Sequence, residues 1–193
     1  MQGYALHLMR HGAPEVMHLM LGRTDAAPTA GGIDACAARA RKLAVNSPVE
    51  NIVSSDLVRA AQPARLIANE RGLPHAIDPR WREMDFGDWD GLAPAAIDNT
   101  ALGRFWSDPD ANPPPGGERW SALVARLGEA IAALPPRPTL VVTHGGAMRA
   151  ALAVLCGFGP GQGWALDLPY GALLSLRVWP GEQMAGQITG LKT

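Results

Sequence analysis

The sequence predicts an α/β fold. It reads as one domain over residues 1–193, with a mainly parallel sheet between helices on both faces. Three observations predict this. Short apolar runs, the length of buried strands, alternate with longer stretches of helical spacing. Two of those runs end in a histidine followed by glycine, at Arg10-His11-Gly12 and at Thr143-His144-Gly145-Gly146. One stretch, 81–120, breaks the alternation and reads as an inserted, cap-like segment over the main domain.

In chain order, Tyr4 to Met9 is the first strand. Gly31 to Val45, Ala-rich with Arg and Lys late, is a helix stopped near Asn46 and Pro48. Asn51 to Ser54 is the second strand. Ser55 or Asp56 can cap the helix that follows, through about Glu70, and Arg71-Gly72 ends it. Pro63 within it predicts a kink or a later start. His75 to Ile77 is a third, short strand. The 81–120 segment holds Trp81, Trp89, Trp106 and Trp120, several Asp, and Pro113-Pro114-Pro115-Gly116-Gly117; it follows no regular alternation of strand and helix. Helical spacing returns from Glu118 to Leu134, with Leu123, Leu127, Ala130, Ile131 and Leu134 on one side. Pro135, Pro136 and Pro138 form a stiff link to a buried strand, Thr139 to Thr143. Ala147 to Leu155 is a helix ended by Gly157, and Ala172 to Val178 is the last expected strand.

The chain has 193 residues and 20.4 kDa, enough for one sizeable core. Hydrophobic residues make up 47% and charged residues 18%, which excludes intrinsic disorder. Lys+Arg 17 against Asp+Glu 18 leaves a net charge of -1. No global basic field exists for nucleic acid or anionic lipid, so neither is an expected partner. No apolar run is long enough for a membrane span. Met-Gln-Gly-Tyr-Ala-Leu-His lacks the basic start and apolar stretch of a signal peptide, and a cytoplasmic protein is expected. Cys36 and Cys156 lie in apolar helical runs and read as buried, inert thiols rather than a disulfide framework.

In open α/β sheets, ligands bind beyond the carboxyl ends of the strands. His11 stands at such an end, where the following glycine lets the backbone approach a ligand. Arg10 beside it offers a planar fork of donors suited to phosphate oxygens. His144 repeats the setting, and the helix after it adds a dipole that favours an anion. Arg59, in the first turns of its helix, can reach the same rim. Together they make a cationic pocket in a nearly neutral chain, matched to a small phosphate ester. Those four charged or dipolar groups already neutralise phosphoryl oxygens, so no metal and no cofactor is expected.

Other chemistries lack their motifs. There is no Gly-x-x-x-x-Gly-Lys loop, no Gly-x-Gly-x-x-Gly, no Gly-x-Ser-x-Gly and no His-Glu-x-x-His. Neither cysteine is followed six residues later by arginine. Asp88-Trp89-Asp90 could hold a nucleophile and an acid around Mg²⁺, but no apolar strand precedes it; a polar turn is the favoured reading. Asp108-Pro109-Asp110 reads the same way. Met17, His18, Trp89 and Tyr170 are expected at the substrate rim, with Met20 and Trp106.

These residues resemble the histidine phosphatase superfamily, which includes cofactor-dependent phosphoglycerate mutases. The resemblance begins at Leu8-Met9-Arg10-His11-Gly12 and continues in order. Gly22-Arg23-Thr24-Asp25 with Thr29 and Gly32, then Ser54 to Ala60, then Glu83 to Gly91, then Pro115-Gly116-Gly117-Glu118 and Val142 to Gly146 complete it. It implies that His11 is the nucleophile, that His144, Arg10 and Arg59 hold the phosphoryl oxygens, and that Glu83 is the general acid. Where mutases of this family carry Asn, this chain has Met17, and its insertion is short. Phe86-Gly87-Asp88-Trp89-Asp90-Gly91 and Pro114-Pro115-Gly116-Gly117-Glu118 are most similar to the small-phosphatase branch that holds α-ribazole phosphatases. The resemblance thus implies a metal-independent phosphomonoesterase on a small phosphorylated metabolite, α-ribazole phosphate among them. The alternatives are phosphoglycerate mutase chemistry, a silent binding module for a phosphorylated ligand, and a Mg²⁺-dependent phosphatase on Asp88 and Asp90.

Overall fold

The structure is a computed structural model that describes residues 3–43, 48–181 and 184–193. Six strands form one sheet: β1 (Tyr4–Arg10), β2 (Asn51–Ser54), β3 (His75–Ile77), β4 (Thr139–Thr143), β5 (Leu173–Trp179) and β6 (Ala185–Lys192). Their order is β3-β2-β4-β1-β5-β6. The first four are mutually parallel; β5 and β6 are antiparallel additions beside β1. The helices are α1 (Ala30–Leu43), α2 (Val58–Arg71), α3 (Asn99–Ser107), α4 (Trp120–Ala132), α5 (Gly145–Cys156) and α6 (Pro160–Trp164).

The strand side chains alternate between two cores, as the pleat requires. Leu6, Leu8 and Val141 pack with α4 and α5, while Met9, Leu140 and Val142 pack with α1 and α2. The middle of each central strand is therefore mostly apolar on both sides, because both of its faces are covered, with buried His7 of β1 the polar exception. β1 and β4 lie side by side in parallel, Arg10 opposite Thr143. That register brings both His-Gly turns to the same end of the sheet.

Several expectations need correction. β5 is not the last strand: β6 follows it, mostly exposed and glycine-containing, so it lacks the apolar alternation of a covered strand. The 81–120 segment, outside the regular alternation as expected, still carries one helix, α3, whose first turn is capped by Asp98 accepting from the Ala101 amide at 2.8 Å. The cap of α2 is neither Ser55 nor Asp56. The helix begins at Val58, whose amide donates to Asp25 at 2.7 Å, from a loop 33 residues earlier. Ser55 accepts only from Leu57, and Asp56 pairs with Arg82. α2 runs on through Pro63. It ends at Gly72, and α5 at Gly157, each in the left-handed conformation that glycine tolerates. The expected end of α1, through Val45 to Asn46, falls outside the described residues.

Candidate active site

His11 is buried at the end of β1, and its Nδ1 lies 2.7 Å from the Gly12 carbonyl. That acceptor holds the ring proton on Nδ1 and leaves the Nε2 lone pair available. Burial, then the Arg59 cation, pushes the His11 pKa down to about 3. The ring is therefore neutral at ordinary pH. His144, the residue before α5, faces it edge-on with ring centroids 5.0 Å apart. It is fully buried, and burial followed by the neighbouring His11, Arg59 and Arg10 groups lowers its pKa well below the usual value.

Arg59 is a fully buried arginine without a carboxylate partner among the described salt bridges. It is held instead by carbonyls: Thr24 at 2.6 Å, Gly22 at 2.9 Å and Leu21 at 3.0 Å. Arg10 donates to the Leu168 carbonyl at 2.7 Å, and its guanidinium lies 4.1 Å over the Tyr170 ring. Glu83 is fixed by two amides, Met84 to Oε1 at 2.9 Å and Gly146 to Oε2 at 3.0 Å. Arg126 braces the same strand of chain, donating to the carbonyls of Arg80, Arg82 and Glu83.

Among the described residues, six buried side-chain nitrogens lack a partner. Four of them belong to this group: Arg10 Nε, Arg59 Nε and both nitrogens of His144. An unpaired buried donor is destabilising by about 1–3 kcal/mol. Concentrated around one neutral imidazole, such donors suit an oxyanion with several acceptor oxygens. The arrangement can therefore bind a phosphoryl group, attack it with His11 Nε2, and present a carboxyl group from Glu83 beside it.

A cavity of about 300 Å³ opens from these residues and is lined by Arg10, His11, Glu83 and Tyr170. His144 and Arg59 lie beneath its wall rather than on it. Met20 and Trp106 line it, but three expected rim residues do not. Met17 is 51% exposed outside the cavity, and His18 is exposed at φ 65° on the same loop. Trp89 is buried, its ring 5.7 Å from Phe105 in the core. Met17 and His18 were expected there from the loop after His11 and Trp89 from the inserted segment, but the loop turns Met17 and His18 outward and the core absorbs Trp89.

Sequence reasoning missed Arg149, Trp164 and Asp90. Arg149 lines the cavity from α5, one turn after Gly145, and that i,i+4 spacing from the His-Gly turn was the available signal. Asp90 is no idle turn residue. Its carboxylate accepts from the amides of Gly22 at 3.0 Å, Arg23 at 2.6 Å and Thr24 at 2.9 Å. It thus clamps the loop whose carbonyls hold Arg59. The thiols match their reading in part: Cys36 is buried, its pKa pushed up to about 11 by burial, whereas Cys156 is only partly covered. No helix among the described residues is long and apolar enough to cross a membrane.

The comparisons with known proteins agree with this geometry. The histidine phosphatase superfamily (branch 1) matches residues 6–188. A glucosyl-3-phosphoglycerate phosphatase of Mycobacterium tuberculosis is 34% identical over 171 residues, 80% of this chain and 76% of its own. An adenosylcobalamin/α-ribazole phosphatase of Salmonella typhimurium is 29% identical over 91% of this chain and 86% of its own. The solved structure of mycobacterial glucosyl-3-phosphoglycerate phosphatase has a TM-score of 0.86 at 28% identity, covering 97% of this chain and 98% of that one. Family, relatives and fold lead to one conclusion: the chain belongs to the histidine phosphatase superfamily (branch 1), as a phosphoric monoester hydrolase.

Proposed function

We propose that the protein hydrolyses monoesters of small phosphorylated metabolites through a phosphohistidine on His11, without a metal. One observation carries the reading: unpaired buried donors of Arg10, Arg59 and His144 surround a neutral imidazole whose Nε2 is available. In the first step Nε2 attacks phosphorus, the ester P–O bond breaks, and Glu83 gives its proton to the departing oxygen. In the second step water attacks phosphorus, Glu83 takes a proton from it, and the P–N bond breaks to release inorganic phosphate. The arriving phosphoryl charge favours protonation of His144, which burial keeps neutral in the unliganded protein. Arg10 and Arg59 supply the remaining positive charge.

The relatives' names supply the first esters to assay, glucosyl-3-phosphoglycerate and α-ribazole phosphate. Hydrolysis is expected to persist in EDTA. His11→Ala is expected to lower kcat by roughly a thousandfold or more. Mass spectrometry after a quench at neutral pH is expected to find the phosphoryl group on His11 of the native protein. Near-normal turnover by His11→Ala overturns the reading. With 3-phosphoglycerate and a bisphosphoglycerate primer, isomerisation outrunning phosphate release would replace it with mutase chemistry.

A further inference from the structure

The cavity beside His11 is polar only where phosphoryl chemistry needs it. Arg10, His11 and Glu83 form one end, and Arg149 is the one further charged side chain on the walls. Tyr170 apart, the rest of the lining is aliphatic, aromatic or glycine; no Asn, Gln, Ser, Thr or Asp contributes. A polyhydroxylated alcohol placed there would find few side-chain partners beyond Arg149, the Tyr170 hydroxyl and the indole N–H groups, so any hydroxyl buried deeper would go unpaired. Each unpaired hydroxyl weakens binding roughly fivefold to a hundredfold.

The aromatic side chains at the mouth are the complementary observation. Trp106 is 40% exposed, Trp164 39% and Tyr170 37%. Large exposed aromatics grouped at a cavity mark a binding surface rather than surplus core. They are also held in place. Trp106 of α3 meets Trp164 of α6 edge-to-face with centroids 4.8 Å apart. The Arg149 guanidinium lies 4.5 Å over the Trp164 ring. Tyr170 stands 5.4 Å from the His11 ring. An ester bound at His11 would thus direct its alcohol along a pre-placed aromatic wall, whose rings lose little freedom on binding.

We propose that the enzyme prefers phosphate monoesters whose alcohol carries a flat aromatic group over esters whose alcohol carries only hydroxyl or carboxylate groups. This rests on the phosphomonoesterase reading above and names its substrate class. Trp106 and Trp164 are the specificity-determining residues, and Arg149 positions the second of them.

The test holds the leaving group constant. Ribose 5-phosphate and adenosine 5′-monophosphate lose the same primary alkoxide and differ in the base. Glycerol 1-phosphate and 2-(1-naphthyl)ethyl phosphate form a second pair of primary esters. The aromatic member is expected to win by roughly tenfold or more in kcat/KM, the usual scale of stacking one ring. Trp106→Ala and Trp164→Ala are expected to shrink that ratio, mainly through KM for the aromatic ester, and Phe at either position to restore most of it. Both indoles are two-fifths exposed, so both substitutions should leave a folded chain, which the Phe variants check independently. No aromatic gain in either pair, or a ratio that neither substitution moves, overturns the preference while hydrolysis itself stands. Absence of hydrolysis with all four esters overturns the phosphomonoesterase reading, and the preference with it.

Discussion

The buried histidines link the site to the stability of the whole chain. Burial, with nearby cations, brings His7 down to about 4 and His11 to about 3, and lowers His144 well below its usual value. His75, less buried, shifts the same way. In the unfolded chain each titrates near 6.5. Below that pH the unfolded state takes up protons that the native state refuses, so stability is present above pH 6.5 and is lost as pH falls toward the native values. Asp56 and Asp78, whose pKa values are depressed below the carboxylate range by Arg82 and Arg80, titrate beneath this window. Urea unfolding at pH 7 and pH 5 is therefore expected to show a loss of roughly 1–2 kcal/mol for each of His7 and His11, with His144 acting in the same direction. His7 lies on β1 away from the cavity, bonded to Ser175 at 2.9 Å. His7→Phe is expected to remove one share of that loss. A stability curve flat between pH 7 and pH 5 would contradict the neutral histidines.

At the scale of the element, the start of α5 shows why two glycines follow His144. A Cβ built on Gly146 would fall 2.1 Å from Glu83 Oε1. The helix must approach that closely for the Gly146 amide to hold the carboxylate. Gly146→Ala is expected to displace Glu83 while keeping the helix, where Ala is at least as favourable as Gly. The thermal midpoint should hold or rise. The kcat/KM for an alkyl phosphate should fall by roughly 10²–10⁴, the range of general acid–base help. The loss should be smaller for an aryl phosphate, whose phenolate needs little protonation; an equal loss on both would mean that Glu83 does not serve as the acid. Gly12 marks a different constraint. A Cβ there would meet the Gly32 carbonyl at 2.0 Å, backbone against backbone, where the exit of β1 crosses α1.

Across the whole molecule, the proposed phosphoryl site is held by segments remote in the chain. Asp90, from the segment that also carries α3, accepts the amides of residues 22–24. The carbonyls of 21, 22 and 24 then hold Arg59 of α2. Asp25 of the same loop caps that helix. Three parts of the chain thus converge on one guanidinium, and Asp90 is its positioning residue. Asp90→Ala is expected to loosen the loop and let Arg59 drift. The inhibition constant for inorganic phosphate should rise, and kcat/KM should fall roughly tenfold to a hundredfold. Asp90→Asn, which keeps one acceptor oxygen, should recover part of both. An unchanged phosphate inhibition constant in Asp90→Ala would show that Arg59 is held without the clamp.

The residues that meet at the site were legible because their signals are local. His11 and His144 each follow a short apolar run and precede glycine, and parallel pairing of two such runs brings their ends together. Arg59 was legible from its place early in a helix after a strand, and Glu83 only through family likeness. The alternation of short apolar runs with longer stretches of helical spacing likewise sufficed for an α/β fold. What local pattern could not carry was contact between distant segments. β6 exists by pairing with β5 rather than by its own apolar face. The cap of α2 comes from Asp25, and the function of Asp90 lies in amides nearly seventy residues earlier. Met17 and His18, in the loop after His11, and Trp89, in the inserted segment, were expected at the rim, yet side-chain direction is set by how a loop turns and by what the core absorbs. Trp106 and Trp164 meet only because α3 and α6 fold to the same mouth. Periodicity and turn chemistry act over a few residues, so they specify elements and their ends; the walls of the cavity depend on packing across the chain, which only the tertiary structure decides.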